Sequence, residues 1–145
     1  MVLRDRLEKN DLAIEVSSGG TGDWHIGENA NSRSIEVLEE NNYKINHSAK
    51  QVTRKWFEKH DLFLAMDLNN YQDLIQIDGS KNHEKIKMFR HFDPELRILS
   101  DLDPALAVPD PYYGTLLDFQ NVLAMIEKAA DGFVDRVIES RKGNF

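Results

Sequence analysis

The sequence predicts an α/β fold on a parallel sheet covered on both faces, the doubly wound class. Three observations carry the prediction. The five-residue apolar run Leu62 to Met66 is too short for a helix and suits a strand buried on both sides. Helical patterns flank it, and the longest of them, Leu116 to Ser140, closes the chain. Strand and helix patterns alternate along the sequence, the order that a parallel sheet with crossover helices requires.

Each element has its own signal. Met1 to Lys9 reads as the tail of a helix, with Leu3 and Leu7 four apart among charged residues and no capping residue ahead of them. Leu12, Ile14 and Val16 alternate with Asp11, Ala13 and Glu15, the period of a strand, which ends in the turn formers Ser17 to Asp23. Asn31 or Ser32 can cap a helix that turns Ile35, Leu38 and Tyr43 inward. Thr53 opens a short helix holding Trp56 and Phe57, and Leu62 to Met66 follows as a strand. Asn69 or Asn70 can cap the next helix, with Leu74, Ile75 and Ile77 inward. Ile86, Met88 and Arg90 alternate with Lys85, Lys87 and Phe89, which reads as a strand over 86–92. A loop with Pro104, Pro109 and Pro111 leads to the last helix, where Phe119, Leu123, Ile126, Ala130, Phe133 and Val137 recur at three- and four-residue steps. Gly132 within it costs about 1 kcal/mol against Ala, so a bend or early fraying is expected there.

Composition narrows the function classes. A length of 145 residues fits one domain, 1–145. The apolar run is far short of the roughly 20 residues of a membrane helix, and no charged-then-apolar leader opens the chain, so a cytoplasmic setting is expected. Eighteen basic against 25 acidic residues give a net charge of −7, which opposes binding to a phosphate backbone. The five histidines lack metal-ligand spacing and no cofactor fingerprint is present, so neither a metal nor a cofactor is expected. There is no cysteine, which excludes disulfides, thiolate metal sites and a cysteine nucleophile.

In doubly wound folds ligands bind beyond the carboxyl ends of the strands. The segments to search are therefore 17–28, 67–70 and 100–114. Ser18-Gly19-Gly20-Thr21-Gly22 follows a predicted strand and reads either as backbone amides cradling a phosphate or, more simply, as a mobile connection. In Pro109-Asp110-Pro111-Tyr112-Tyr113-Gly114, two prolines hold one carboxylate on a stiff loop beside two aromatic rings. That setting suits a general acid, and an ordinary Asp-Pro turn suits it as well. Trp24 sits in a loop, where a Trp more often serves a binding surface than a core. His47 precedes an apolar-polar turn. Asp67 lies at a strand's carboxyl end, and Asn70 reads as a helix cap.

Together these segments resemble the low-molecular-weight protein tyrosine phosphatase family. The acid loop Val108 to Gly114, with Phe119 behind it, is similar to that family's signature. So, in the family's order, are Ser18 to Glu28, His47 to Thr53, and Ala65-Met66-Asp67 through Asn70. The resemblance implies a three-layer, phosphotyrosine phosphatase I-like sheet. It implies that Asp110 is the general acid that protonates the leaving phenol and then activates water. Trp24, Tyr112 and Tyr113 would wall a cleft for the phosphotyrosine ring of a protein or a small aryl phosphate. Ser18 and His47 would brace the phosphate-binding loop, and Asp67 and Asn70 would shape the rim. Sibling activities on the same fold are arsenate reduction and phosphoarginine hydrolysis, and the double tyrosine favours an aromatic substrate.

One departure is severe. The family's nucleophile belongs to a Cys-x5-Arg-Ser loop after its first strand, and here no cysteine exists. Met1 to Arg4 aligns with the middle of the family's first helix, so an N-terminally truncated chain lacking the first strand and active-site loop is expected. Two consequences follow from that expectation. The chain should be catalytically silent, either as half of an enzyme or as a phosphatase-like binding module. The slot between the segments at Leu12–Val16 and Leu62–Met66 should stand open, which predicts a marginal fold that self-associates or takes a partner there.

Overall fold

Gly132 shows how the molecule is put together. A Cβ on this residue would lie 1.9 Å from the carbonyl oxygen of Phe92. The long C-terminal helix therefore presses on the backbone that follows the sheet, and only a residue without a side chain permits that approach. The expected fraying does not occur, because the glycine serves packing and the helix continues unbroken as α5, Leu116–Arg141. Its start carries a reciprocal cap, with Thr115 and Asp118 each accepting from the other's backbone N–H.

This computed structural model describes residues 1–21, 32–44, 50–79, 83–110 and 114–142, with the backbone alone at 32–34. The elements before α5 are α1 (Val2–Lys9), α2 (Ser32–Glu40), α3 (Trp56–Lys59), β1 (Phe63–Ala65), α4 (Leu68–Asp78) and β2 (Ile86–Met88). β1 and β2 pair in parallel with Phe63 opposite Ile86 and Ala65 opposite Met88. The α/β class with a parallel sheet is thus present. The strand expected over 86–92 is shorter, because Phe89–Phe92 turns into a 3-10 helix whose buried Phe89 joins the core beside α5.

Two helical layers meet the sheet. Val2, Val37, Tyr43 and Phe89 pack with Phe119, Leu123, Ala129 and Ala130 of α5. Leu74 of α4 packs with Val52, Phe57, Ile86 and Met88. Arg6 fastens α1 to α5. Its Nε donates to Asp131 at 2.8 Å and its Nη2 to Glu127 at 3.1 Å, while the guanidinium lies 5.5 Å over the Tyr43 ring. The Tyr43 hydroxyl donates to the same Glu127 at 2.6 Å, closing a network among three parts of the chain.

Leu12–Val16 is not a strand. Leu12, Ile14 and Val16 are half-buried and Asp11, Ala13 and Glu15 exposed, so the pleated alternation is present. A ladder is missing because no strand lies beside it among the described residues. An alternating sequence makes a strand only where a neighbour supplies hydrogen bonds. A cleft of about 1020 Å3 is lined by both Ala13–Val16 and Leu62–Met66. Apolar side chains of α5, among them Leu123, Ile126 and Phe133, also line it.

Candidate active site

The turn after β1 organises the site. The Asp67 carboxylate accepts from the backbone N–H of Asn70 at 2.7 Å and caps α4, which begins at Leu68. The cap expected at Asn69 or Asn70 is thus corrected. Asp67 comes first in the chain, and its side chain satisfies the orphan amide that Asn70 presents. Asn70 is left with a different task. Its Nδ2 donates to Thr21 Oγ1 at 3.4 Å, and the Thr21 hydroxyl donates to Asp73 Oδ2 at 2.8 Å. These bonds hold the end of the glycine run against the first turns of α4.

The glycine run itself is pinned where the structure describes it. Gly20 N–H donates to the Lys50 carbonyl at 2.7 Å, and Val52 N–H to the Gly20 carbonyl at 2.9 Å, a parallel bridge to Gln51. A Cβ on Gly19 would lie 2.8 Å from Val52 Cγ2 and 3.0 Å from the Trp56 ring. Gly19 is therefore a contact residue rather than a hinge, and Gly79 is the one glycine at positive φ among the described residues. Over 18–21 the described glycines serve packing and pairing rather than positive φ. The phosphate-cradle reading loses the Gly20 amide, which is already spent. Ser18 is exposed and engaged, and lines the mouth of the cleft together with Gly19, Thr21 and Asn70.

The acid loop reaches the same end of the sheet. Val108 N–H donates to the Met66 carbonyl at 2.7 Å, hanging the loop on the residue after β1 and next to Asp67. Just upstream, Arg90 Nη1 donates to the carbonyls of Ala105 and Ala107, both at 2.9 Å. Asp110 follows at the surface, exposed and engaged. Asp67, Asn70, Ser18 and Asp110 thus stand on segments that converge beyond the carboxyl end of β1. Trp24, His47, Tyr112 and Tyr113 lie outside the described residues.

Sequence reasoning missed Arg90, Thr21 and Asp73. Arg90 stood in the alternating run read as a strand, and its partners are carbonyls that only the folded chain brings near. Thr21 stood in the glycine run, but nothing in its local pattern pointed to Asp73, 52 residues away. Of the histidines, His60 meets the Trp56 carbonyl at 3.0 Å and His91 the Leu99 carbonyl at 3.0 Å, both structural contacts.

Comparison with known proteins agrees with this arrangement. The family pattern described as low molecular weight phosphotyrosine protein phosphatase matches residues 1–142. A low molecular weight protein-tyrosine-phosphatase of Streptomyces coelicolor is 36% identical over 145 residues, spanning 98% of this chain and 85% of its own. The low molecular weight protein-tyrosine phosphatase A of Mycobacterium tuberculosis is 39% identical over 127 residues, spanning 88% and 73%. Among solved structures, a protein tyrosine phosphatase of Entamoeba histolytica with Hepes in its active site superposes with a TM-score of 0.82 at 26% identity, covering 99% of this chain and 87% of that one. A low molecular weight phosphotyrosine phosphatase of Vibrio cholerae gives 0.82 at 28% identity, covering 96% and 86%. With the pattern running from α1 to the end of α5 and the fold shared with these structures, the chain belongs to the low molecular weight phosphotyrosine protein phosphatase family.

Proposed function

We propose that this chain carries the acid-donating side of a protein tyrosine phosphatase. Asp110 protonates the phenolic oxygen as it leaves the phosphorus of an aryl phosphate or phosphotyrosine side chain, and later takes a proton from the attacking water. Trp24, Tyr112 and Tyr113 flank the ring, where stacking contributes about 0.5–1.5 kcal/mol per pair beyond burial. Ser18 and His47 brace the phosphate side, and Asp67 and Asn70 form the rim. A cytoplasmic setting belongs to the same reading; the described residues include no helix long and apolar enough to cross a membrane.

The observation that carries the reading is the bond from Val108 N–H to the Met66 carbonyl. It fixes the loop bearing Asp110 at the carboxyl end of β1, beside Asp67, and leaves that carboxylate at the surface where a substrate can meet it. The relatives named above support the substrate class. A phosphatase-like binding module is less well supported, because it needs an anchor for the phosphate and the Gly20 amide is committed to Lys50.

An acid helps a leaving group depart but cannot displace it. With no cysteine in 145 residues, the phosphoenzyme route of the resembled family has no nucleophile here. Loss of even one electrostatic donor to a transition state commonly costs about 2.7–4 kcal/mol. The purified 145-residue chain is therefore expected to hydrolyse p-nitrophenyl phosphate no faster than buffer. Turnover within about 100-fold of the Streptomyces coelicolor relative, an allowance of under 3 kcal/mol, would overturn the reading.

A further inference from the structure

We propose that α3 and the turn leading into it form a docking surface for an extended, acidic segment of a partner protein. The inference stands on charge and placement, and it depends neither on the assignment of Asp110 nor on the cleft.

The charge of this region runs against that of the molecule. The chain holds 18 basic against 25 acidic residues, yet Lys50, Arg54, Lys55 and Lys59 all fall within 50–59. Lys85 joins them at the end of α3, where its Nζ donates to the carbonyls of Phe57 and His60 at 3.0 and 3.2 Å. Arg54 is tied down as well, its Nε donating to the Ile77 carbonyl at 3.3 Å. Carbonyl partners orient these two cations without neutralising them. Lys50, Lys55 and Lys59 are exposed and have no carboxylate partner among the described residues. The acids of the same stretches are Glu58, Asp61 and Glu84, three against five.

Spacing and surroundings specify the occupant. Lys55 has α-helical backbone angles just ahead of α3, so Lys55 and Lys59 stand one turn apart on one side, their Cβ atoms about 5–6 Å from each other. Alternate side chains of an extended peptide point the same way about 6.5–7 Å apart, so carboxylates at every second position match these two ammonium groups. Glu58, Asp61 and Glu84 interrupt the positive field that a continuous phosphate backbone needs, whereas separate carboxylates can pass between them. A lipid surface needs apolar anchors, and the large exposed apolar side chains among the described residues, Met66, Ile98, Leu102, Leu116 and Leu117, all lie outside 50–61. The acidic remainder of the chain repels the same segment elsewhere, which directs it to this face. The surface also reaches the candidate site. A Cβ on Gly19 would lie 3.0 Å from the Trp56 ring and 3.3 Å from the Lys50 carbonyl, so a partner held by α3 is held beside the glycine run.

The probe is a rhodamine-labelled peptide amide, Glu-Thr-Glu-Thr-Glu-Thr-Glu-Thr, titrated with the full 145-residue chain and followed by fluorescence anisotropy. One comparison peptide replaces every Glu with Gln, and another sets the same number of Glu residues at every fourth position. Saturable binding is expected at about 20 mM salt, at least about fivefold weaker at about 200 mM. The Gln peptide should not bind, and the widely spaced one should bind at least about threefold more weakly. Lys55→Glu with Lys59→Glu should weaken binding at least about fivefold. Lys44→Glu with Lys142→Glu makes the same charge change at exposed lysines outside 50–61, and should stay within about twofold. No saturable binding, equal binding of the two Glu spacings, or equal loss from the two variant pairs overturns the proposal. So does tighter binding of an oligouridylate or of phosphatidylserine vesicles, which would make the surface a reader of nucleic acid or of lipid. The peptide comparisons use the unaltered chain, so they decide the matter where a variant does not fold.

Discussion

At the scale of single residues, two side chains hold what the site and core depend on. Arg90 grips the loop before Asp110 through two carbonyls, while its Nε is buried with no acceptor among the described residues. Arg90→Ala is therefore expected to cost about 1–3 kcal/mol in urea denaturation, less than two full charged hydrogen bonds because the stranded Nε goes too. Arg90→Lys should recover part of it, since one ammonium cannot fork to both carbonyls as a guanidinium does. Tyr43 is the second case. Burial first, then its hydrogen bond to the Glu127 carboxylate, pushes the phenol from 10.0 up to about 12. A folded pKa above the unfolded one means that this contribution is whole below pH 10 and is lost as pH climbs through about 12. Absorbance at 295 nm should show one tyrosine ionising late, and the fall in stability across that window should be smaller in Tyr43→Phe.

At the scale of elements, the contact between α5 and the Phe89–Phe92 turn is the tightest test. Gly132→Ala would add the better helix former, worth about 1 kcal/mol in an open helix. Here the added methyl meets the Phe92 carbonyl, so a net loss of about 1–3 kcal/mol is expected, measured by chemical denaturation. The same residue shows what sequence can and cannot disclose. The stripe from Phe119 to Val137 gave away α5 almost to the residue, because a helix bonds within itself and only its face depends on the rest. The run Leu62–Met66 likewise marked β1, although the ladder is trimmed to Phe63–Ala65. Leu12–Val16 has as clear a pattern and no ladder, since pairing depends on a distant neighbour that a local pattern cannot report. Asp67 and Asn70 were both legible as polar residues following the strand, but which one caps α4 depends on where the strand ends. The surface position of Asp110 on a proline-flanked loop was legible, whereas Arg90, which grips the stretch before that loop, left no local mark.

At the scale of the whole molecule, the open cleft sets the behaviour. Native domains are held by about 5–15 kcal/mol, and each buried Val or Leu side chain absent from a core forgoes about 1.5–3 kcal/mol. The chain is expected to unfold broadly on heating and to bind a hydrophobic dye before the transition. A sharp, reversible melt of pure monomer would contradict this. The cleft also bears on calorimetry. Its aliphatic walls are open in the native state, so unfolding has less oily surface left to expose. The heat-capacity increment should fall below the usual ~12–15 cal/mol/K per residue, and the stability curve should be correspondingly flat, varying little between cold and warm.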